Sequence, residues 1–187
     1  MINQWDIAQD RNVNSLAVFV TEDDGAMKWT RPEGKAIKVN VDASIFEETG
    51  RYSYVCVARN SIGSVEEAIS SCKEGRRDME VVEALGVKEA LSCIKKKQWG
   101  AVTIETDSLS VVQSICSKAA MVSYFGDLIN DCRAFLEEFP NVSLFFVRRS
   151  TNGVAHFLAR GSYYVANRNI RSDDISPDFF DVIMKEY

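Results

Sequence analysis

The spacing of apolar residues changes in a fixed order along residues 36–167, and this order limits the folds that the chain can adopt. Residues 36–43, 52–59 and 64–71 are rich in β-forming side chains and are joined by short turns, which predicts an antiparallel meander of three strands. The segments that follow are predicted to be a helix, a strand, two helices, a strand and a helix, over 78–97, 101–106, 108–118, 122–139, 141–148 and 151–167. The order βββαβααβα predicts an α/β domain with a mixed five-stranded sheet.

The domain boundaries follow from where these patterns begin and end. We expect residues 1–28 to be a lead-in or linker, because they show no sustained period. Residues 29–167 are then the domain, and residues 168–187 are a C-terminal tail. The length of 187 residues suits one domain of this size.

Composition narrows the class of protein. The chain is 46% hydrophobic and 26% charged, which is enough apolar material for a packed core. No apolar run reaches the roughly 20 residues that a membrane span requires, and the first residues do not resemble a signal peptide. We therefore expect an intracellular protein, nuclear or cytoplasmic, without membrane contact. The five widely spaced cysteines and the single histidine do not form a zinc motif, which favours free, mostly buried thiols.

The charges are distributed unevenly along the chain. The formal net charge is -5, but residues 141–171 contain five of the 22 basic residues and none of the 27 acidic ones. These arginines are Arg148, Arg149, Arg160, Arg168 and Arg171. We expect this segment to face phosphate groups, although the rest of the chain is acidic.

One acidic residue lies where a helix should be apolar. On a helical wheel, Glu83 lies near the middle of the apolar arc formed by Met79, Val82, Gly86, Val87, Ala90, Leu91 and Ile94. A carboxylate that points into a core is costly unless it is paired, hydrogen-bonded, protonated or bound to a cation. Glu83 therefore needs a partner, either an arginine or lysine at the rim of the core or the other groups of a functional site.

Two aspartates end predicted strands. Asp42 ends the first strand, and Asp107 follows the strand at 101–106, where an aspartate also serves as a helix cap. If both strands are central neighbours and the helix of Glu83 packs across them, the three carboxylates converge. Clustered carboxylates repel one another, and protonation or a divalent cation relieves the repulsion. Two Mg²⁺ ions are the usual cation solution for hydrolysis of a phosphodiester.

Four ordered segments, at 37–42, 82–91, 104–108 and 149–159, carry a resemblance to a known family. Together they resemble the plant ribonuclease H-like domain of the reverse-transcriptase-like group, found in retroelement-derived and stand-alone proteins. The resemblance covers residues 29–162. It implies a ribonuclease H-like fold and an endoribonuclease that cuts the RNA strand of RNA–DNA hybrids with two Mg²⁺ (or Mn²⁺) ions. The implied partner is nucleic acid, bound through its backbone.

The resemblance also implies roles for individual residues. Asp42, Glu83 and Asp107 would bind the metal ions and act in catalysis. His156 stands where the family usually has an aspartate, and it would ligate a metal, accept a proton from water, or merely pack under the last helix. The expected substrate contacts, which lie close to these positions in the sequence, are Ser44, Ser108, Arg149 and Asn152.

Two departures from the family pattern keep other functions open. Besides His156, the second strand has Tyr52 and Tyr54 in a stretch where the family often has glycine. The alternative is a catalytically weak or inactive nucleic-acid-binding or protein-interaction module derived from such a nuclease, because fold predicts activity poorly. A metal-dependent exonuclease on a related scaffold is a third hypothesis.

Overall fold

The structure is a computed structural model that describes residues 18–19, 28–117, 119–164, 168–170 and 177–185. The strands in these ranges are β1 (Val18–Phe19), β2 (Ile37–Phe46), β3 (Arg51–Arg59), β4 (Val65–Glu74), β5 (Val102–Thr106), β6 (Val142–Phe146) and β7 (Arg168–Ile170). The helices are α1 (Met79–Lys97), α2 (Leu109–Cys116), α3 (Tyr124–Glu138), α4 (Gly153–Gly161) and α5 (Pro177–Lys185). Each helix within the described ranges is too short or too polar to cross a lipid bilayer.

The order of elements from β2 to α4 is the predicted βββαβααβα, and the mixed sheet is confirmed. The five predicted strands are β2 to β6, and the short strands β1 and β7 extend the sheet to the order β1-β6-β5-β2-β3-β4-β7. The last helix of the domain is shorter than the predicted 151–167. It ends at Gly161 and is followed by a turn, in which the Ser162 hydroxyl donates to the Ala159 carbonyl at 2.5 Å. Residues 165–167 lie outside the described residues.

Strand β2 lies at the centre of the sheet and determines where the candidate site forms. It pairs with β3 in antiparallel orientation as far as Phe46, and with β5 in parallel orientation from Ile37 to Val41. The prediction that Asp42 ends its strand was wrong, because β3 continues to pair with β2 beyond it. Asp42 is instead the first β2 residue beyond the end of the parallel pairing with β5.

Helices cover both faces of the sheet. Apolar residues of α1, α2 and α3 pack with Val39 and Val41 of β2 in the larger core. The opposite face is covered by α4, whose Val154 and Ala155 pack in the smaller core with residues of β3 and β4. Because side chains alternate along a strand, Asp42 points away from the side of Val41. Asp42 therefore faces the side of the sheet on which α4 lies.

Segments outside the main α/β region also contact it. Strand β1 pairs in parallel orientation with β6. In α5, Phe179 and Ile183 are buried in the smaller core beside α4. Residues of the expected lead-in and tail therefore contact the sheet and the smaller core, and the domain bounds of 29–167 stay a prediction.

A row of buried polar side chains begins near the start of β2, at Lys38, and continues through Asn40 on the same face as Asp42. Lys38 Nζ is 2.7 Å from Glu105 Oε1, and Asn40 Nδ2 donates to Glu105 Oε2 at 2.9 Å. Arg59 Nη2 donates to Asn40 Oδ1 at 2.8 Å, and its guanidinium carbon lies 3.6 Å from the centre of the Trp29 ring. Glu105 thus forms an ion pair with the buried Lys38 and accepts a hydrogen bond from Asn40, which in turn accepts one from Arg59.

The expectation of free thiols is confirmed. All five cysteines are unpaired, and only Cys116 is exposed. Burial raises the pKa of Cys93 to about 11 and that of Cys132 to about 12. These thiols therefore stay protonated near neutral pH and pack as small apolar side chains.

Gly86 lets α1 approach β2 closely, and we expect Gly86→Ala to destabilise the fold. An added Cβ would lie 2.8 Å from Val41 Cγ1 and 3.5 Å from Tyr54 Cβ. Overpacking of this kind costs about 1–3 kcal/mol, and the higher helix propensity of alanine returns about 1 kcal/mol. A net loss of about 1 kcal/mol in the free energy of unfolding is expected in urea denaturation. Gly100→Ala is the control, because no heavy atom lies within 4 Å of its Cβ position. A Gly86→Ala variant as stable as the control would contradict the close approach.

Candidate functional site

Three carboxylates lie around the point at which β5 stops pairing with β2. The last parallel pair joins Val41 to Thr106, so the next residues of the two strands are Asp42 and Asp107. Both aspartate side chains are almost inaccessible, at 3% and 7% exposure. Glu83 reaches the same region from α1, which packs across β2 and β3. The prediction that the carboxylates converge assumed that β2 and β5 are neighbours and that the helix of Glu83 packs across the sheet. Both features are present in the structure.

The three carboxylates influence one another electrostatically. Burial is the main cause that raises the pKa of Asp42, and the negative charge of Asp107 raises it further. Burial also raises the pKa of Glu83, with additional contributions from Asp107 and Asp42. These directions fit the geometry, in which Glu83 contacts Ser108, the neighbour of Asp107, and Asp42 lies beside the end of β5. A cluster of poorly solvated carboxylates favours a bound cation or proton.

Each carboxylate has a partner from the chain itself. His156 Nδ1 lies 2.8 Å from Asp42 Oδ2. The Ser108 hydroxyl donates to Glu83 Oε2, and this hydrogen bond opposes the rise in the pKa of Glu83. Glu83 is therefore directed inward. Its partner is Ser108 and not the arginine or lysine at the rim of the core that the sequence left open.

Asp107 is held by two donors from the segment between β6 and α4. Arg149 Nε donates to Asp107 Oδ2 at 2.9 Å, and Asn152 Nδ2 donates to Asp107 Oδ1 at 3.0 Å. Asn152 is fully buried, and its Nδ2 also donates to the Val41 carbonyl at 2.9 Å. Asn152 therefore ties the residue before Asp42 to Asp107. It fixes the spacing of the two aspartates.

Sequence reasoning did not foresee the bridging role of Asn152, which it assigned to substrate binding. A signal for it exists in the sequence. Asn152 and His156 are four residues apart at the start of a helix, so they lie on one helical face and reach the two aspartates together. Ser108 and Arg149 likewise hold carboxylates within the protein. Contacts of these three residues with substrate stay predictions.

Ser44 is the predicted site residue that makes no hydrogen bond with the three carboxylates in the described part of the chain. It lies two residues beyond Asp42 in β2, is buried, and is paired with Ser53 of β3. Its predicted contact with substrate remains untested.

Packing explains Tyr54, one of the two tyrosines that stand where the family often has glycine. Tyr54 is half-buried, and its Cβ lies 3.5 Å from the position that a Cβ on Gly86 would take. Burial raises the pKa of the Tyr54 hydroxyl. Tyr54 therefore fills space between β3 and α1.

The arginine-rich segment lies partly at the site. Arg149 contacts Asp107, and Arg148 and Arg160 are exposed. The side chains of Arg168 and Arg171 lie outside the described residues. That this segment faces phosphate groups stays a prediction.

The chemistry of the donors fits a hard divalent cation, because carboxylate oxygens are the ligands that Mg²⁺ and Mn²⁺ prefer. Among the described residues, however, no group of three or more His, Cys, Asp and Glu side chains is arranged to hold a metal ion. Both oxygens of Asp107 and one oxygen each of Asp42 and Glu83 contact other side chains. Metal binding by Asp42, Glu83 and Asp107 therefore stays a prediction.

Solved structures have the same fold as this chain. The N-terminal RNase H domain of a Mycobacterium tuberculosis protein is 19% identical, with a TM-score of 0.62 over 71% of this chain and 96% of that chain. RNase H1 from Halobacterium salinarum is 18% identical, with a TM-score of 0.62 over 70% of this chain and 99% of that one. LC11-RNase H1, isolated from compost and solved in complex with RNA/DNA hybrid, is 17% identical, with a TM-score of 0.57 over 67% of this chain and 94% of that chain. At these identities the likeness shows the fold, and the predicted ribonuclease H-like fold is confirmed.

The family is shown by a sequence model. No curated protein sequence matches the chain. The model of the reverse transcriptase-like family matches residues 40–162, which is more than half of the chain and includes all three carboxylates, Asn152 and His156. The fold, the meeting of the carboxylates and this match agree, and the chain belongs to the reverse transcriptase-like family.

Proposed function

We propose that this protein is a divalent-metal-dependent endoribonuclease that hydrolyses the RNA strand of RNA–DNA hybrids. The observation that carries the proposal is the meeting of Asp42 and Asp107 at the end of the parallel pairing, with Glu83 within electrostatic reach of both. Mutual repulsion in a buried region is what a site for small, doubly charged cations requires. The complex of LC11-RNase H1 with RNA/DNA hybrid supports this substrate class for a protein of the same fold.

The carboxylates would hold two Mg²⁺ or Mn²⁺ ions, which when bound would activate water and stabilise the charge that develops on the phosphate. The fixed residues of this chain would supply the geometry. Asn152 holds Asp107 and the Val41 carbonyl in register, and Ser108 holds Glu83 inward. Glu83 would then orient a water molecule or a ribose 2′-hydroxyl. The 2′-hydroxyl is the group that distinguishes RNA from DNA.

His156 is placed to accept a proton. Its Nδ1 is engaged by Asp42, so a hydrogen on Nδ1 leaves Nε2 as the basic nitrogen of the neutral ring. The side chain is 30% exposed, which leaves room for an attacking water beside it. A histidine oriented by an aspartate in this way would take a proton from water and later release it to the leaving oxygen or to solvent.

The test is cleavage of end-labelled RNA–DNA hybrid with Mg²⁺, with Mn²⁺ and with a chelator. We expect internal cuts in the RNA strand with either ion, no cuts with the chelator, and no cuts in a DNA duplex of the same sequence. A hybrid whose ends are blocked should be cut equally well, whereas an exonuclease would leave it intact. An uncut hybrid in both metals would refute the proposal.

One observation favours the second candidate, a nucleic-acid-binding or protein-interaction module without catalysis. All three carboxylates already have partners within the protein, and His156 replaces the expected aspartate. Such a module would retain hybrid on a filter, with an affinity that falls steeply as salt rises, and would leave the RNA uncut. The same samples used for cleavage therefore distinguish the two candidates.

A further inference from the structure

Arg149 differs from the other residues that hold the carboxylates. Its side chain is 69% exposed, while the Asp107 side chain that it contacts at 2.9 Å is only 7% exposed. It lies in the short turn Arg149–Thr151, which leads from β6 into α4. A solvated guanidinium thus closes the outer side of a buried carboxylate.

Arg149 is also close enough to respond to the whole acidic cluster. The hydrogen bond and the charge of Asp107 raise the pKa of Arg149, and the charges of Asp42 and Glu83 raise it further. Its single positive charge therefore offsets part of the repulsion among the three acids. In this position it acts as a counter-ion for the cluster.

The two donors to Asp107 are not equivalent. Asn152 is fully buried and is fixed by a second hydrogen bond to the Val41 carbonyl. Arg149 is exposed, so water solvates its guanidinium once it leaves, whereas the buried Asp107 carboxylate then needs another cation. Arg149 can therefore exchange with a divalent cation at Asp107 while Asn152 remains in place.

We propose that Arg149 is a releasable counter-ion that occupies Asp107 until a phosphate of the nucleic-acid backbone draws it away, so that divalent cation and nucleic acid bind cooperatively. This inference rests on the proposed function. A guanidinium binds a phosphate through two parallel hydrogen bonds, which are stronger than its single contact with Asp107. Departure of Arg149 removes a positive charge from the oxygen that a cation would bind.

The proposal has a thermodynamic consequence that does not depend on catalysis. If bound nucleic acid raises the affinity for cation, bound cation must raise the affinity for nucleic acid by the same factor. Arg149 would be the residue that carries this coupling. Removing Arg149 should therefore tighten cation binding in the free protein and abolish most of the coupling.

The experiment measures Mn²⁺ binding to the full chain by calorimetry or electron paramagnetic resonance at low ionic strength. We expect Arg149→Ala to bind Mn²⁺ about fivefold more tightly than the wild type, because an exposed ion pair shifts a competing equilibrium by about that factor. A short hybrid with a 2′-O-methylated RNA strand, which resists hydrolysis, should tighten Mn²⁺ binding to the wild type but scarcely to Arg149→Ala. Lys95→Ala is the control, since it removes the same charge from an exposed ion pair with Glu138 outside the site.

The outcomes separate this proposal from the proposed function. Equal or weaker Mn²⁺ binding by Arg149→Ala would overturn the counter-ion role, and hybrid cleavage by the wild type would still support the nuclease. An equal gain in Lys95→Ala would also overturn it, because the effect would then be one of net charge. If neither the wild type nor Arg149→Ala binds Mn²⁺, both proposals fail together.

Discussion

Replacing Asp42 with asparagine is expected to lower the rate of hybrid cleavage by at least about a thousandfold, which corresponds to about 4 kcal/mol of lost transition-state stabilisation. The substitution keeps the shape of the side chain and removes its charge. Under the proposed function, loss of that charge removes one of the proposed cation-binding groups and the anion that contacts His156 Nδ1. Single-turnover cleavage with saturating enzyme measures the chemical step directly.

The same variant is expected to be at least as stable as the wild type near neutral pH. Burial and the neighbouring Asp107 raise the pKa of Asp42 above its usual value of 3.8, so the ionised form is disfavoured in the folded state. A carboxyl group with a raised pKa costs stability above its folded pKa and costs nothing below its unfolded pKa. The gain in Tm from Asp42→Asn should therefore be largest near pH 7 and should vanish as the pH falls below 3.8.

Asp131→Asn is the matched control for both measurements. Asp131 is an exposed aspartate on α3 that pairs with Lys88. It lies outside the proposed site, and its substitution should leave the cleavage rate unchanged. Full activity in Asp42→Asn would refute the assigned role. A lower Tm at neutral pH would instead show that the contact with His156 outweighs the cost of burial.

Replacing Glu105 with glutamine is expected to have the largest effect on stability. Glu105 and Lys38 form an ion pair of 2.7 Å in which both side chains are 6% exposed. Removing one partner leaves a buried charge without compensation, which costs about 3–5 kcal/mol. Glutamine has one acceptor oxygen for Asn40, and its NH₂ group then faces the Lys38 ammonium, so the loss combines the missing charge with a contact between two donors. Urea denaturation at neutral pH measures the change in the free energy of unfolding.

Two further variants test whether the uncompensated charge of Lys38 causes the loss of stability in Glu105→Gln. Adding Lys38→Met to Glu105→Gln removes the uncompensated ammonium and should recover most of the lost stability. Glu138→Gln breaks an ion pair with Lys95 that is more than half exposed on both sides, and it should change stability by at most about 1 kcal/mol. Equal losses from Glu105→Gln and Glu138→Gln would contradict the buried character of the first pair.

The position of each of the three carboxylates could be predicted from the sequence, but from different kinds of signal. Glu83 was identified because a carboxylate in an apolar helical arc violates the usual pattern, and that violation is visible in a single helix. Asp42 and Asp107 needed a further assumption, that their strands are central neighbours. The parallel pairing of Val41 with Thr106 makes the two aspartates adjacent.

The contacts among the site residues were beyond sequence reasoning. Arg149 was expected to contact substrate, which stays a prediction, but its contact with Asp107, 42 positions away, was not foreseen. His156 reaches Asp42 across 114 positions. Such pairings depend on strand register and on the angle at which α4 crosses β2, and neither quantity is encoded in the local apolar period.

The sequence by itself determined the order of strands and helices, the free thiols and the anomalous carboxylate, because hydrophobic period and burial act within one element at a time. Only the tertiary structure decided that β2 continues past Asp42, that β1 and β7 extend the sheet, and which donor holds each carboxylate. These features arise from pairing between distant segments. Their energies depend on distance and burial in the assembled fold, which a linear pattern does not contain.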